Sequence, residues 1–479
     1  MSQEFETVIG LEVHLQLSTK TKIFCGCVNV FGSAPNTNVC PVCLGLPGTL
    51  PVLNQQALLY AIKVGLALNA QINPFIKFDR KNYYYPDLPK GYQISQYDLP
   101  VAKDGFVMIK TDKNEKRIGI KRAHLEEDAG KLVHDDRGNC SLVDYNRTGT
   151  PLIEIVTEPD LRSPQEAYDY LNTLKLILQY LNVSDCDMEK GSLRCDANVS
   201  IRPIGQTALG TKTELKNMNS FRAVKTGLEY EVCRHKQVIL SGGRIIQETL
   251  LWNDEKAMTI AMRSKEQAHD YRYFSDPDLV PFTINYKVID QVRAELPELP
   301  QIKLERFIKQ YGLSEYDAGV LVIDQAVAVF FEHCCQHYEQ SKKVANWLNG
   351  AVLKEMNERK MGISELKLTP VNLVALIKAV ENGVVSNLAG KEVLKAMLDS
   401  GKTPAQVIQD KGLVQVSDDS ALMAIVEEII NQNPTVVEQI KQGKPSAAGF
   451  LVGQAMKKSG GKANPKKLSE LIIRRISNA

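Results

Sequence analysis

Four cysteines in two close pairs are the most specific chemical signal in this sequence: Cys25 and Cys27, then Cys40 and Cys43. Thiolates are soft ligands, and a short spacing lets one backbone turn present two sulfur atoms to the same ion, as in tetrahedral zinc sites. The first pair has a single intervening residue, which is less standard, and unliganded thiols or disulfides are the alternatives. A closed site of this kind would brace a loop and catalyse nothing, so we predict a structural zinc ion.

Polar side chains, many of them ionisable, occupy every second position in several short segments of the amino-terminal half. Such alternation places them on one face of a strand. The residues are Glu12, His14 and Gln16; Arg194, Asp196, Asn198 and Ser200; Lys212, Glu214 and Lys216; a further segment holds the consecutive acids Glu126, Glu127 and Asp128. Each face taken singly is typical of a solvated sheet surface. Together they suit a concave surface where oxygen ligands hold Mg²⁺ and lysine or arginine holds phosphate.

Basic and aromatic residues lie together in a third group, over residues 79–87 and 90–97, which includes Lys81, Tyr83 and Tyr85. Residues 270–274 have the same character. Tyrosines beside lysine and arginine suit base stacking and phosphate pairing on single-stranded nucleic acid. Buried tyrosines in a proline-rich loop are the alternative.

The carboxyl-terminal segment is locally basic, since residues 441–479 hold nine lysines and arginines and one acid, Glu470. Clustered cations release counterions from nucleic acid, so this segment suits contact with a phosphate backbone. A solvated basic face is the equally plain interpretation.

The elements that must position these residues change in character along the chain. Short alternating runs with many Gly, Pro and Tyr residues predict strands over 5–17, 106–110 and 193–201. Helices are predicted over 54–68 and 164–181, the second with Ser163 as N-cap and a proline at its first position.

Helical periodicity dominates after a linker with two prolines at 294–300. Thr369 and Ser417 are expected to precede helices whose apolar stripes form core. We therefore expect an α+β protein with three regions: a β-rich domain over 1–294, an all-α domain over 295–400 and a small helical domain over 401–479.

Composition excludes some classes of protein. A net charge of +2 over 479 residues rules out a uniformly basic or acidic polyelectrolyte. The sequence has no apolar run of the ~20 residues that a membrane helix needs, and no P-loop, dinucleotide-binding glycine motif or serine-hydrolase elbow. With no export signal in view and few cysteines for its length, we expect a reduced, cytoplasmic setting.

Eight segments, taken together, resemble the GatB family, the B subunits of aspartyl/glutamyl-tRNA amidotransferases, in its bacterial form. They are ETVIGLEVH (6–14), KFDRKNY (77–83), YQISQ (92–96), HLEEDAGK (124–131), NRTGTPLIE (146–154), GSLRCDANVS (191–200), ELKN (214–217) and GFLVGQ (449–454). They are distributed over nearly the whole chain. A tRNA-binding scaffold that has lost catalysis and an unrelated zinc-containing RNA-binding protein are the rival hypotheses; the retained carboxylates argue against the first and the number of matches against the second.

The resemblance implies a three-subunit enzyme. An amidase A subunit frees ammonia from glutamine, and a small C subunit ties A to B. The B subunit uses ATP and Mg²⁺ to phosphorylate the side-chain carboxylate of Glu on tRNA(Gln), or of Asp on tRNA(Asn), before ammonia displaces the phosphate. A non-discriminating aminoacyl-tRNA synthetase is a further possible partner. The implied fold is a β-rich cradle, a helical domain and a YqeY-like tail that grasps tRNA.

The resemblance also assigns residues by motif. It implies Mg²⁺ ligation by Glu12, His14, Glu127 and Glu214, with Glu126 or Asp128 as alternatives to Glu127, and places Asp196 in the same catalytic cavity. Substrate or phosphate contacts are expected from Arg194, Asn198, Lys216, Lys81, Tyr83 and Tyr85, and tRNA contacts from Lys457, Lys458, Lys466 and Lys467. The four cysteines match the zinc-bearing subset of the family, in which zinc is structural.

Overall fold

The computed structural model describes residues 4–112, 114–135, 138, 140–262, 271–413, 419–441, 448–459, 463 and 465–477. The chain forms two compact units, Met1–Leu299 and Pro300–Ala479. The predicted division into three regions stays a prediction. Helix and strand content follows the expected order, with strands concentrated in the first unit and helices filling the second.

The strands of the first unit are β1 (Phe5–Gln16), β2 (Gln71–Ile72), β3 (Phe75–Ile76), β4 (Asp79–Asn82), β5 (Tyr92–Ser95), β6 (Ala102–Lys110), β7 (Glu115–Glu127), β8 (Lys131–Asp135), β9 (Cys140–Asp144), β10 (Pro151–Thr157), β11 (Leu193–Pro203), β12 (Thr213–Lys216), β13 (Thr249–Asn253), β14 (Met258–Ala261), β15 (Phe274–Ser275) and β16 (Phe282–Thr283). Its helices are α1 (Pro41–Leu44), α2 (Gln55–Ala67), α3 (Pro164–Tyr180), α4 (Phe221–Leu240) and α5 (Tyr286–Ala294).

A large sheet organises the first unit, with strand order β14-β13-β12-β11-β1-β10-β7-β6-β2. β12 and β13 are parallel, whereas β1 pairs antiparallel with both β10 and β11 at the centre. A small sheet, β15-β4-β5, lies beside it, and β5 contacts β7. The predicted strands at 5–17, 106–110 and 193–201 are confirmed as β1, part of β6 and β11.

Alternation along the central strands separates an apolar face from a polar one. Leu11, Val13 and Leu15 of β1 are fully buried. They belong to the apolar core of this unit, which also includes residues of α2, α3 and α4. Burial of apolar surface by these helices stabilises the sheet from one side. The polar residues of the same strands therefore project from the opposite face.

Local capping explains where the helices begin. The Asn54 side chain accepts a hydrogen bond from the Gln56 amide at 2.9 Å, and Ser163 Oγ accepts one from the Glu166 amide at 3.1 Å. Such caps satisfy amides that have no partner inside the helix. The predicted helices at 54–68 and 164–181 are confirmed as α2 and α3.

The helices of the second unit are α6 (Pro300–Tyr311), α7 (Glu315–Val322), α8 (Gln325–His337), α9 (Ser341–Trp347), α10 (Leu353–Arg359), α11 (Pro370–Glu381), α12 (Asn387–Ser400), α13 (Pro404–Lys411), α14 (Asp419–Gln432), α15 (Pro434–Lys441), α16 (Ala448–Lys458) and α17 (Pro465–Ser477). A π-helical turn, Leu348–Val352, joins α9 to α10, and a 3-10 turn covers Ile363–Glu365.

The second unit has more than one layer of packing. Thr369 caps α11 as predicted, whereas Ser417 lies outside the described residues. α13 packs against α11 and α12, and α14, α16 and α17 share a separate apolar core.

Among the described residues, no single helix is long and apolar enough to cross a membrane. α7 and α8 reach that length and composition only together, across a bend of 119°.

Candidate functional site

The register of the central strands brings the predicted polar residues to one face of the large sheet, which we call the polar face. His14 of β1 lies opposite Arg194 of β11 and Glu154 of β10, and Glu154 lies opposite His124 of β7. Glu12 pairs with Asp196, and Asn198 pairs with Glu214 of β12. Directly opposed residues on neighbouring strands share a face. The sequence segments thus converge although they are far apart along the chain.

A histidine and two carboxylates form the tightest group on the polar face. His14 Nε2 lies 3.3 Å from Glu154 Oε2 and 3.8 Å from Glu126 Oε1. One ligand atom from each of these three residues falls within 4.8 Å of the others, which is close enough to hold one metal ion. Imidazole nitrogen and carboxylate oxygen are suitable ligands for a divalent cation. Glu12 and Glu214 lie outside this group of three.

The electrostatics of this group come from burial opposed by ionic contacts. Burial disfavours the charged imidazolium, yet hydrogen bonding to Glu154 leaves the pKa of His14 raised. Burial likewise opposes the charge on Glu154, but His124 and His14 hold the pKa of that carboxyl well below its usual range. The pKa of Glu126 is lowered against its burial, chiefly by a hydrogen bond from His124. The two carboxyl groups are therefore ionised and ready to bind a cation.

A second group lies toward β12. Glu12 Oε1 accepts a hydrogen bond from Asn198 Nδ2 at 3.0 Å. Lys216 Nζ contacts Asp196 Oδ2 at 2.5 Å and Glu214 Oε1 at 3.0 Å, and Thr249 Oγ1 donates to Glu214 at 2.7 Å. Burial, followed by the charge of Glu154, raises the pKa of Glu12. This group sets a lysine among three carboxylates, next to the histidine group.

Cations border both groups. Arg194 NH2 donates to Asp128 Oδ2 at 2.9 Å, and Gln16 Nε2 donates to the same oxygen at 2.9 Å. Burial would lower the pKa of Lys81, but the charges of Glu126 and, more weakly, Glu154 raise it, so Lys81 faces the histidine group. The polar face thus offers both carboxylates for a cation and ammonium or guanidinium groups for an anion.

Tyrosines that flank the strands of the small sheet lie around Lys81. The Lys81 ammonium lies 4.8 Å from the ring centroid of Tyr271 and 6.0 Å from that of Tyr83. Tyr97 and Tyr273 stack with centroids 4.5 Å apart. Tyr85 is half exposed. Of the aromatic segment 270–274, Asp270 lies outside the described residues.

Glu127 is not brought to the polar face, which is a correction to the predicted ligand set. Its carboxylate accepts a hydrogen bond from the Ile94 amide at 2.9 Å and pairs with Lys90. It lines a cavity together with Cys25 and Cys43. The reason is the two-residue period of β7, which points Glu126 and Glu127 to opposite sides. Glu126, named as an alternative, occupies the place expected for Glu127.

The four cysteines lie together as the spacing predicts. One sulfur from each of Cys25, Cys27, Cys40 and Cys43 falls within 4.8 Å of the others, and all four are free thiols. A hydrogen bond from Cys25 lowers the pKa of Cys43 to about 5, whereas burial raises the pKa of Cys27 to about 11. Four soft sulfur donors at this separation fit a tetrahedral zinc ion.

The tail lysines occupy the last two described helices. Lys457 and Lys458 end α16, and Lys467 lies in the first turns of α17. Lys458 pairs with Glu428 of α14. The side chain of Lys466 lies outside the described residues.

Sequence reasoning missed two members of the polar face as site residues. Glu154 is a lone acid in the apolar strand β10, and His124 opens the acidic segment of β7. A buried charge within an apolar strand is costly unless it is paired. That cost is the signal that would have marked Glu154, which lies in one of the family motifs but had no predicted role.

Comparison with known proteins shows the family to which this chain belongs. A family model described as the GatB/GatE catalytic domain matches residues 7–290, and one described as the GatB domain matches residues 329–476. The chain is 54% identical over 474 residues to the B subunit of the aspartyl/glutamyl-tRNA(Asn/Gln) amidotransferase of Thermoanaerobacter sp. (strain X514), covering 99% of this chain and 100% of that protein. It is 53% identical over 475 residues to the protein of the same name from Carboxydothermus hydrogenoformans, covering 98% of each. The chain belongs to the GatB family.

Proposed function

We propose that this chain is the B subunit of a glutamine-dependent amidotransferase that converts Glu-tRNA(Gln) to Gln-tRNA(Gln), Asp-tRNA(Asn) to Asn-tRNA(Asn), or both. Relatives that match it over their full length carry the name of that activity. The observation that supports an active site on this chain, in preference to a scaffold, is the convergence of carboxylates, histidines and cations on the polar face.

The proposed reaction has two steps. The side-chain carboxylate oxygen of the misacylated residue attacks the γ-phosphorus of ATP, which forms an acyl phosphate and releases ADP. Ammonia from a partner amidase then attacks the acyl carbon, the C–O bond to phosphate breaks, and an amide and inorganic phosphate result. A carboxylate is a poor acyl donor because it has no leaving group, and phosphorylation provides one.

Residues of the polar face suit the first step. His14, Glu126 and Glu154 are the residues best placed to hold Mg²⁺, and Glu12 and Glu214 lie near enough to add carboxylate oxygens around the nucleotide. Bound Mg²⁺ would neutralise charge that spreads over the phosphoryl oxygens. Arg194, Lys216 and Lys81 would hold phosphate or the substrate carboxylate, with Asp196 and Asn198 orienting Lys216 and Glu12.

Other regions would position the tRNA and partner subunits. Tyr83, Tyr85 and the stacked pair Tyr97 and Tyr273 offer ring faces for the unpaired acceptor end. The lysines of α16 and α17 would contact the tRNA backbone. We further propose that zinc at the four cysteines is structural, that the A and C subunits complete a cytoplasmic heterotrimer, and that a non-discriminating synthetase supplies the substrate.

The test uses the three-subunit complex with ATP labelled at the γ-phosphate. Phosphate release is measured with Glu-tRNA(Gln) and with uncharged tRNA(Gln), for the unchanged complex and for Glu214→Ala. We expect cleavage that requires the aminoacyl group and falls at least 100-fold in the variant, while glutaminase activity on free glutamine persists. Glu229→Ala, an exposed acid on α4, is the matched control and should cleave ATP normally.

Two results would contradict the proposal. If ATP were cleaved equally fast with Glu-tRNA(Gln) and with uncharged tRNA(Gln), the side-chain carboxylate would not be the phosphoryl acceptor. Equal activity in Glu214→Ala and Glu229→Ala would show that the polar face is not the reaction site, and the scaffold hypothesis would gain.

A further inference from the structure

Lys22 is the one lysine whose fully buried side chain has no carboxylate partner among the contacts of the described residues. Its relative exposure is 0%. The ammonium donates to the backbone oxygens of Asn38 at 2.7 Å and Tyr145 at 3.4 Å, and to Cys43 Sγ at 3.7 Å. A lysine is almost never fully buried unless it is paired, because a desolvated charge without a counterion is unfavourable.

Among the described residues, Cys43 is therefore the one hydrogen-bond partner of the Lys22 ammonium that can carry a negative charge. The same sulfur also accepts a hydrogen bond from the Cys40 amide at 3.1 Å. Two N–H donors therefore converge on this one sulfur, which fixes its orientation toward the other three cysteines. In the part of the chain that the structure describes, the other three cysteines accept no hydrogen bond from a lysine or arginine.

The charge of a zinc ion bound by all four cysteines also favours a cation at this position. A Zn²⁺ ion with four thiolates has a net charge of −2, and the group is only partly exposed to solvent. One buried ammonium at the edge of the group lowers that excess. Without the metal this compensation would be lost, and the burial of the ammonium would be less favourable.

We propose that Lys22 is the charge partner of the zinc centre: a positioning residue that donates a hydrogen bond to Cys43 Sγ, offsets the negative charge of the four-sulfur site and makes zinc binding stronger. The inference rests on the zinc occupancy proposed above. Removing a residue that hydrogen-bonds to a metal ligand commonly weakens metal binding by about 10- to 100-fold.

The backbone around Lys22 links this centre to the polar face. The Lys22 amide donates to Cys27 O at 2.9 Å, and the next amide, that of Ile23, donates to Gly149 O at 2.9 Å. Gly149 lies just before β10, the strand that carries Glu154. Loss of zinc should therefore loosen the start of β10 as well as the cysteine loop.

The experiment measures zinc binding to the full-length chain by competition with a chromophoric chelator, with zinc ion alone as the ligand. We expect Lys22→Met to bind zinc at least 10-fold more weakly than the unchanged chain. Lys22→Arg, which keeps the charge, should lose less. Lys20→Met removes an exposed lysine from the same segment and should leave zinc affinity unchanged.

Thermal unfolding with and without zinc separates this role from general packing. Zinc should raise the melting temperature of the unchanged chain more than that of Lys22→Met, and the metal-free variant should be at least as stable as the metal-free unchanged chain. Should Lys22→Met not be recovered folded, Lys22→Gln takes its place with the same expectations.

The outcomes separate the existence of the zinc site from the role of Lys22 in it. If the unchanged chain does not bind zinc, the zinc site itself is refuted and the role of Lys22 with it. If the unchanged chain binds zinc and Lys22→Met binds it equally well, or gains the same melting temperature from it, zinc remains and the role of Lys22 is refuted.

Discussion

At the scale of single residues, the period of a strand decides which acid in a run can act. Glu126, Glu127 and Asp128 are consecutive, yet their contacts are with His14 and His124, with Lys90, and with Arg194 respectively. Strand alternation sends the middle one to the opposite side of β7. A ligand assignment by motif alone does not contain this information, because neighbouring acids look equivalent in a sequence.

A magnesium titration distinguishes Glu126 from Glu127. Removing the charge at Glu126 takes one oxygen ligand from the group with His14 and Glu154, so Glu126→Gln should raise the Mg²⁺ concentration for half-maximal ATP cleavage by about 10-fold or more. Glu127→Gln removes the Lys90 pair and should leave that concentration unchanged, whatever it does to the maximal rate. ATP cleavage with Glu-tRNA(Gln) over a range of Mg²⁺ is the measurement. A larger shift for Glu127→Gln would return Glu127 to the ligand set.

Much of the polar face was predictable residue by residue, and its exact membership was not. The alternation of Glu12, His14 and Gln16, and of Arg194, Asp196 and Asn198, follows from the sequence because each segment is a single strand. Which strands are neighbours is a property of the whole sheet. Glu154 was missed for that reason: its role depends on β10 lying between β1 and β7.

At the scale of elements, the short strand β12 needs support because it carries Glu214 and Lys216. Behind it, on the apolar side, Glu231 of α4 is fully buried. Its carboxylate accepts hydrogen bonds from Thr213 of β12 at 3.1 Å, Thr259 of β14 at 2.7 Å and Arg234 at 2.9 and 2.8 Å. One ionised acid thus ties α4 to two strands at the edge of the large sheet.

Replacing Glu231 should destabilise the chain in a pH-dependent way. Burial opposes its charge, but hydrogen bonds from His235 and Arg234 lower the pKa of Glu231 to about 2. A lowered pKa contributes stability that is fully present above the unfolded value near 4.5 and is lost as the pH falls toward 2. Glu231→Gln should therefore cost on the order of 3 kcal/mol at pH 7, with the difference from the unchanged chain shrinking below pH ~4.5.

Urea unfolding at pH 7 and at pH 3 measures this difference. Glu229→Gln, an exposed acid one half-turn away on α4, should change the free energy of unfolding by less than about 0.5 kcal/mol at either pH. A Glu231→Gln effect that is the same at both pH values would mean that packing, and not the ionised carboxylate, connects α4 to β12.

Gly45, at the end of α1, joins the cysteine loop to the Lys90 side chain. It has a φ of +68°, and a Cβ there would lie 2.2 Å from Lys90 Cγ. Gly45→Ala should therefore add steric conflict to backbone strain and displace Lys90 from Glu127. Gly48 has a φ of +83° with nothing within 4 Å of an added methyl, so Gly48→Ala isolates the strain, about 1 kcal/mol. Urea unfolding of both variants should show the larger loss for Gly45→Ala; equal losses would mean that Lys90 moves aside freely.

Elements with local signals were predictable, and those fixed by distant contacts were not. α3 and α11 begin at the predicted caps, and α2 begins where a helix was predicted, because capping depends on neighbouring residues. The linker expected at 294–300 falls between α5 and α6. The small sheet β15-β4-β5 pairs residues near 80 with residues near 274, and strands of two to four residues are too short to leave a clear periodic pattern in the sequence.

At the scale of the whole molecule, the overall charge is weak, so local surfaces must provide the attraction for tRNA. A net charge of +2 gives little long-range attraction for a polyanion, so tRNA binding must depend on where the cations lie and which of them already have partners. In the tail, Lys458 pairs with Glu428 and Arg475 with Glu427 at 3.1 Å. Within the described structure no acid pairs with Lys457.

Lys457 and Lys458 should consequently differ in their contribution to tRNA binding, although they are adjacent. A lysine that contacts a phosphate releases about 0.7 to 0.9 counterions, and its loss flattens the dependence of log K on log salt by that amount. Lys457→Gln should show this change together with weaker binding. Lys458→Gln should show less, because Lys458 must first leave Glu428, and Glu428→Gln should strengthen binding by freeing Lys458. The measurement is the affinity of the complex for tRNA(Gln) between roughly 50 and 200 mM salt, the range over which such slopes are determined. An unchanged slope in Lys457→Gln would show that the end of α16 does not contact tRNA. Weaker binding in Glu428→Gln would show that the Lys458–Glu428 pair orders the helix that tRNA contacts.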